Sequence, residues 1–155
     1  MISRPMEENA KKILTRLQAQ CARREYCRSD IEAKAARDLS PEEAAEVVES
    51  LVKDGFVDDL RYASAFAREK ASLQGWGRIK IKFMLSAKKI APDVISEALE
   101  EIDPGSSDRK LDALVSAKDR QLKDDPDRRL KVIRYALSRG YSYDEVKASL
   151  ARLGV

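Results

Sequence analysis

A chain of 155 residues with 43% hydrophobic and 37% charged side chains can bury a core, yet it holds no histidine and only two cysteines. That excludes histidine-based acid–base chemistry and the common histidine- and cysteine-rich metal centres, so no cofactor is expected, and a net charge of +3 is weak evidence for nucleic acid. No secretory apolar segment follows Met1, and no run approaches the roughly 20 apolar residues that span a bilayer, so the expectation is a cytoplasmic protein with no membrane contact and reduced Cys21 and Cys27.

The elements read as helices throughout. Residues 6–23 place Ala10, Ile13, Leu14, Leu17 and Cys21 at helical spacing. A second, short helix starts at Ser29-Asp30-Ile31. Ser40-Pro41-Glu42-Glu43 is a helix start: serine caps, proline suits the first turn and Glu43 stands three residues after the serine. This third helix carries Val47, Val48, Leu51 and Val52 and stops at Gly55. Asp58-Asp59 then caps a helix with Tyr62, Phe66 and Leu73 on its inner face, and an ion pair of these acids with Arg61 is expected beside the cap. Gly75-Trp76-Gly77 breaks that helix. Arg78–Lys88 follows, although Arg78-Ile79-Lys80-Ile81-Lys82-Phe83 alternates as a strand would; with no second strand-like run to pair with, and with Ile81, Met84 and Leu85 in a helical stripe, it reads as helix. Pro92–Ile102 is the next helix. Asp103-Pro104-Gly105-Ser106-Ser107 reads as a linker and a hinge. Helices near 108–123, 127–139 and 142–153 complete the chain.

A cassette recurs at an offset of 51 residues. Lys88-Lys89-Ile90-Ala91-Pro92-Asp93 runs into the pair Ile95/Leu99, and Arg139-Gly140-Tyr141-Ser142-Tyr143-Asp144 runs into Val146/Leu150. A looser relative begins at Leu39-Ser40-Pro41-Glu42, with Val47 and Leu51 four apart. Such periods predict stacked helical units that bury a core by leaning on neighbours. The fold expected is all-α, an elongated tandem array of three-helix, helix-turn-helix-like repeats, with units at 1–57, 58–105 and 106–155.

Charge is distributed unevenly along this array. From Leu60 to Ala91 there are eight basic residues and one acid, Glu69; from Asp93 to Asp103, five acids and no base; from Arg128 to Tyr143, five bases and no acid. The candidate partner- or DNA-binding residues are therefore Arg61, Arg68, Lys70, Arg78, Lys80, Lys82, Lys88 and Lys89 in the second unit. Their counterparts in the third are Arg128, Arg129, Lys131, Arg134 and Arg139. A plain solvated face suits the same residues. Trp76 is expected to pack; of Tyr141 and Tyr143, one is expected to turn inward and the other to face a partner. There is no glycine-rich phosphate loop and no G-x-S-x-G elbow, so the protein is not expected to be an enzyme.

Four stretches carry a resemblance. Gly55-Phe56-Val57-Asp58-Asp59-Leu60-Arg61-Tyr62-Ala63, then Gly77-Arg78-Ile79, then Lys88-Lys89-Ile90 with Ile95-Ser96-Glu97-Ala98-Leu99, resemble the RecX family of recombination regulators, and Arg139–Asp144 is similar to that family's third-repeat signature. Lys89 stands where the family usually has glycine. The resemblance covers roughly residues 10–153. It implies a monomeric array of three-helix units that binds the RecA recombinase filament, meets DNA at least indirectly, and dampens strand exchange, nucleotide hydrolysis and the filament's co-protease role. Two rival readings stay open: a helix-turn-helix-like DNA-binding module, and a protein-only scaffold. Reversing Arg78, Lys82, Arg128 and Lys131 to glutamate would abolish binding in the first two readings and leave the third untouched.

Overall fold

The computed structural model describes residues 6–155, and among them it forms nine helices and no strand. In chain order these are α1 (Glu8–Arg23), α2 (Arg28–Ala36), α3 (Pro41–Lys53), α4 (Asp59–Ser72), α5 (Arg78–Ala87), α6 (Pro92–Glu100), α7 (Pro104–Gln121), α8 (Arg128–Ser138) and α9 (Tyr143–Leu153). Extensive helix–helix packing stays within the triplets α1–α3, α4–α6 and α7–α9. Each triplet has its own core, centred on Leu17, Ile31 and Leu51 in the first, Ile81, Leu85 and Ile95 in the second, and Leu111, Val132 and Tyr141 in the third. An accessible surface of 9732 Å² exceeds the about 7,900 Å² expected of a compact monomer of this mass, as an extended array requires.

Local sequence explains the helix starts. Ser40 Oγ accepts from the Glu43 N–H while Glu43 reaches back to the Ser40 N–H, and Ser142 and Glu145 make the same reciprocal box at α9. Asp58 caps α4 through the Arg61 N–H at 3.0 Å. The stretch expected as a linker is instead the first turn of α7. Asp103 accepts from the Ser106 N–H at 2.9 Å, Pro104 takes the first position, and Ser107 is already buried. An aspartate followed by proline is a helix-start signal, and here it outweighs the Gly-Ser composition. No hinge loop exists there.

The strand-like alternation of 78–83 lies within α5. Ile81 and Leu85 point into the second core, while Ile79 and Phe83 lie outward. The alternation thus arises from a helix that is apolar on two faces.

Burial repeats in register. Leu39, Ile90 and Tyr141, each 51 residues from the last, are all buried in the turn between the second and third helix of a unit. Ile31 and Ala35 correspond to Ile81 and Leu85 at an offset of 50, and these to Val132 and Ala136 at 51. The turns of units two and three therefore carry one residue more than the turn of unit one. That residue is Lys89 in one and Gly140 in the other, with φ of 61° and 97°. A left-handed residue here lets the Ile90 and Tyr141 N–H groups turn back onto the Leu85 and Ala136 carbonyls, closing the helix. Lys89 is the one non-glycine residue with positive φ among those described. Glycine relieves its Cβ crowding but adds freedom to the unfolded chain, so Lys89→Gly is expected to stabilise by about 0.5–1 kcal/mol, read as a higher urea midpoint at unchanged slope.

Candidate partner-binding surface

The extra turn residue does more than end a helix. It exposes carbonyl groups that the preceding unit uses. At the joint of units one and two, Ser29 Oγ donates to the Lys88 carbonyl at 2.6 Å, and Lys88 Nζ reaches Asp30 Oδ1 at 2.8 Å. The Arg28 N–H donates to Asp59 Oδ1 at 2.8 Å, and Cys27, fully buried, sits in the second unit's core although it opens α2. At the joint of units two and three, the Gly77 N–H donates to the Arg139 carbonyl at 2.8 Å and the Ile79 N–H to the Gly140 carbonyl at 3.0 Å. Tyr141 Oη donates to the Gly75 carbonyl at 2.9 Å, and Arg139 reaches the Gln74 carbonyl. The same device appears twice: the start of one unit's second helix plugs into the next unit's left-handed turn. The turn of unit one lacks the extra residue.

The joints differ in chemistry. The first rests largely on side chains. Burial pushes the Asp30 carboxyl up, but hydrogen bonds from Lys88 and Cys27 outweigh it and hold the group below its ordinary range; the Asp30 hydrogen bond in turn raises Lys88. A depressed carboxyl contributes stability above its unfolded pKa, and that contribution is lost as pH falls through the folded value. Asp30→Asn is therefore expected to melt earlier than the wild type at pH 7, the gap closing in acid as the wild-type carboxyl protonates; a gap that persists in strong acid would refute an ionic origin. The second joint combines two backbone–backbone bonds with bonds from the Tyr141 and Arg139 side chains to backbone carbonyls, and holds no carboxylate to titrate in acid.

This architecture engages most of the candidate cations. Arg61 pairs with Glu25 at 2.7 Å and donates to the Gly55 and Phe56 carbonyls, so its ionic partner is Glu25 and not the neighbouring aspartates. Asp59 instead receives α2. Arg68 pairs with Glu101 at 3.4 Å, and Arg78 donates to the Ile102 carbonyl at 2.8 Å. Lys70 and Lys80 lie over the Trp76 ring, which packs edge-on against Phe66 in the second core. Lys88 and Arg139 belong to the joints. In unit three, Arg128 grips Asp119, Arg129 donates to the Val155 carbonyl and Lys131 pairs with Asp125 at 2.6 Å. Those pairs raise Arg128 and Lys131 and lower Asp119 and Asp125, in each case chiefly through the hydrogen bond between them. Lys82, Lys89 and Arg134 are exposed and have no intramolecular partner among the described residues. Two of them stand on the outer faces of α5 and α8.

Those faces also carry apolar side chains that charge-counting overlooks. Phe83 is 71% exposed and Ile79 56%, while Leu130 and Leu137 stand out from α8. For Ile79 and Phe83 the signal is the double-faced apolar pattern of 78–83; Leu130 and Leu137 carry no such signal. Tyr141 is buried and Tyr143 is exposed, the division expected of that pair. No helix among the described residues is long and apolar enough to cross a membrane.

Comparison with known proteins places this geometry in company. The second three-helix domain of RecX matches residues 58–99, and the third three-helix domain of RecX matches residues 108–150. A protein named regulatory protein RecX from Chromohalobacter salexigens is 34% identical over 131 residues, covering 84% of this chain and 85% of that protein. One of the same name from Mycolicibacterium smegmatis is 30% identical, with 96% and 83% covered. These relatives are named as regulatory proteins and not as enzymes. The crystal structure of RecX from Lactobacillus salivarius superposes with a TM-score of 0.86 over 95% of this chain and 97% of that one, at 19% identity, which speaks to fold alone.

Proposed function

This chain belongs to the RecX family, and on that premise we propose that it is a non-enzymatic regulator that binds the RecA–DNA filament and dampens its activities: strand exchange, ATP hydrolysis and the co-protease role. The observation that carries the reading is the family match laid over an array of separately cored units, fixed to one another by repeated joints. Such an array presents a long surface to a large partner. Units one to three, bounded near residues 57 and 105, would act as successive docking modules on the filament, inside the cytoplasm and as a monomer. Inhibition then follows either from occupying a surface that another step needs, or from binding one arrangement of the filament subunits more tightly than the active one.

The helix-turn-helix alternative finds less support. A recognition helix meets base edges with its N-terminal residues. Here the third helix of each unit opens with acids: Glu42 and Glu43, Asp93, and Asp144 and Glu145. Contact with DNA in this reading runs through the filament; the cations left free for a partner or DNA are Lys82, Lys89 and Arg134, with Arg61, Arg68, Lys70, Arg78, Lys80, Lys88, Arg128, Arg129, Lys131 and Arg139 kept as candidates of mixed structural and binding use.

The test is RecA-catalysed ATP hydrolysis on single-stranded DNA, with this protein titrated in beside a free-DNA control. Inhibition at or below stoichiometric amounts is expected. Unchanged hydrolysis at large excess would overturn the reading and shift the weight to a DNA-only or scaffold role. Glutamate reversals at Arg78, Arg128 and Lys131 also disturb intramolecular contacts, so Lys82, Lys89 and Arg134 are the cleaner positions to reverse.

A further inference from the structure

The outer faces of α5 and α8 repeat. Ile79, Phe83 and Ser86 lie at i, i+4 and i+7 on α5; 51 residues on, Leu130, Arg134 and Leu137 occupy the same positions on α8. All six are exposed. The corresponding residues of α2 are Ser29, Ala33 and Ala36, which are small. A helix of a soluble protein ordinarily keeps its apolar stripe on one side. The two faces here are outward, cationic and apolar at once: neither α5 nor α8 contains an acid, and Lys82 and Arg134 have no partner among the described residues.

We propose that the outer faces of α5 and α8 form one two-unit docking surface for an acidic protein segment bearing apolar anchor side chains. Charge complementarity selects the partner's sign, since the surface offers unpaired cations and no carboxylate from its own two helices. Side-chain type selects its class. Of Ile79, Phe83, Leu130 and Leu137, only Phe83 offers a ring on which a base could stack, and phosphate gains nothing from the aliphatic remainder, whereas an aliphatic surface around one phenylalanine is what a protein anchor fills or covers. Joint two fixes the two faces relative to one another, because the Ile79 N–H itself is bonded to the Gly140 carbonyl that leads into α9. The occupant is thus presented to both units together. This inference rests on the filament-regulator reading and assigns its contact surface: the segment belongs to RecA subunits in the filament.

The experiment measures binding of labelled protein to RecA filaments assembled on single-stranded DNA, with DNA alone as a parallel arm. The variants are Phe83→Ser, Leu137→Ser and the double reversal Lys82→Glu/Arg134→Glu. Leu73→Ser serves as control, since Leu73, placed by helical spacing on the inner face of α4, is instead 78% exposed at the end of that helix and belongs to neither α5 nor α8. All four change exposed residues and should keep wild-type helicity and melting, which circular dichroism verifies. Phe83→Ser and the double reversal are each expected to weaken filament binding about tenfold or more, with Leu73→Ser unchanged. Wild-type-like filament binding by those variants would overturn the docking surface while leaving filament regulation intact. Loss confined to the DNA-alone arm would overturn it in favour of nucleic acid. Failure of the wild type to bind filaments at all would overturn both this inference and the reading on which it rests.

Discussion

Replacing Gly77 with alanine is expected to open the joint between units two and three. A Cβ at residue 77 would lie 2.3 Å from the Gly140 carbonyl oxygen, 2.4 Å from its carbon and 2.6 Å from the Tyr141 nitrogen. All three are backbone atoms, so no side-chain rotation relieves the clash, and the two chain segments must separate. The Gly77 and Ile79 N–H bonds to the third unit's turn are lost with that separation. Gly140→Ala meets the same joint from the other side: its Cβ would fall 2.4 Å from Lys80 Cβ and 2.8 Å from the Lys80 nitrogen, at a φ of 97° that side chains disfavour. Overpacking against backbone puts Gly77→Ala, where φ is an ordinary −80°, at about 3 kcal/mol, and left-handed strain adds about 1–2 kcal/mol to the overpacking at Gly140→Ala. Gly75→Ala supplies the comparison, because φ there is 65° but nothing lies within 4 Å, leaving a strain of about 1 kcal/mol. Hydrogen exchange reads the result locally: the Ile79 amide should lose protection in Gly77→Ala, while amides near Val47 in unit one keep theirs. If Gly77→Ala proved no worse than Gly75→Ala, the joint would be looser than its geometry states.

The same joint shows where reading the sequence succeeded and where it stopped. Helix starts at Ser40 and Asp58 were legible because capping is local: the chemistry lies within four residues. The repeat was legible because each unit needs the same apolar positions to close its core, which is why Leu39, Ile90 and Tyr141 recur and are buried. The substitution at Lys89 was visible as a departure from glycine, and its consequence is a strained turn that still forms. The joints were not legible. Ser29 and Lys88 lie 59 residues apart, Glu25 and Arg61 36 apart, and neither side chain announces a partner in another unit. For that reason a block of positive charge from Leu60 to Ala91 looked like one surface. In the folded chain Arg61 and Lys88 hold unit one, Arg78 ties α5 to the end of α6, and Lys80 covers Trp76. What remained free, Lys82 and Lys89, could be separated from the rest only by knowing which carboxylates and carbonyls come near. The outward Phe83 was concealed for a different reason: a helix that is apolar on both faces imitates a strand.

Tyr141 is the residue at which core and joint coincide, and its variants are expected to separate the two contributions. Its ring is 1% exposed within the third core, and its hydroxyl crosses the joint to the Gly75 carbonyl. Tyr141→Ala removes a large buried ring from between Val132, Val146 and Leu150, and should cost about 3–5 kcal/mol, enough to leave unit three largely unfolded at physiological temperature. Tyr141→Phe keeps the ring and removes only the bridging hydrogen bond, for about 1 kcal/mol, so unit three should stay folded while the Gly75–Gly77 segment gains exchange. Alkaline titration gives a second readout. Burial pushes the phenol up to about 12 from an ordinary 10, so the unfolded chain ionises first. The stabilisation is complete below the unfolded value and drains away as pH rises from about 10 through the folded value. Wild-type stability should therefore fall across that window more steeply than that of Tyr141→Phe, which has no phenol there to titrate. Parallel alkaline profiles would mean that the hydroxyl is solvated and that the joint rests on the backbone bonds of Gly77 and Ile79 with the Arg139 bond to the Gln74 carbonyl.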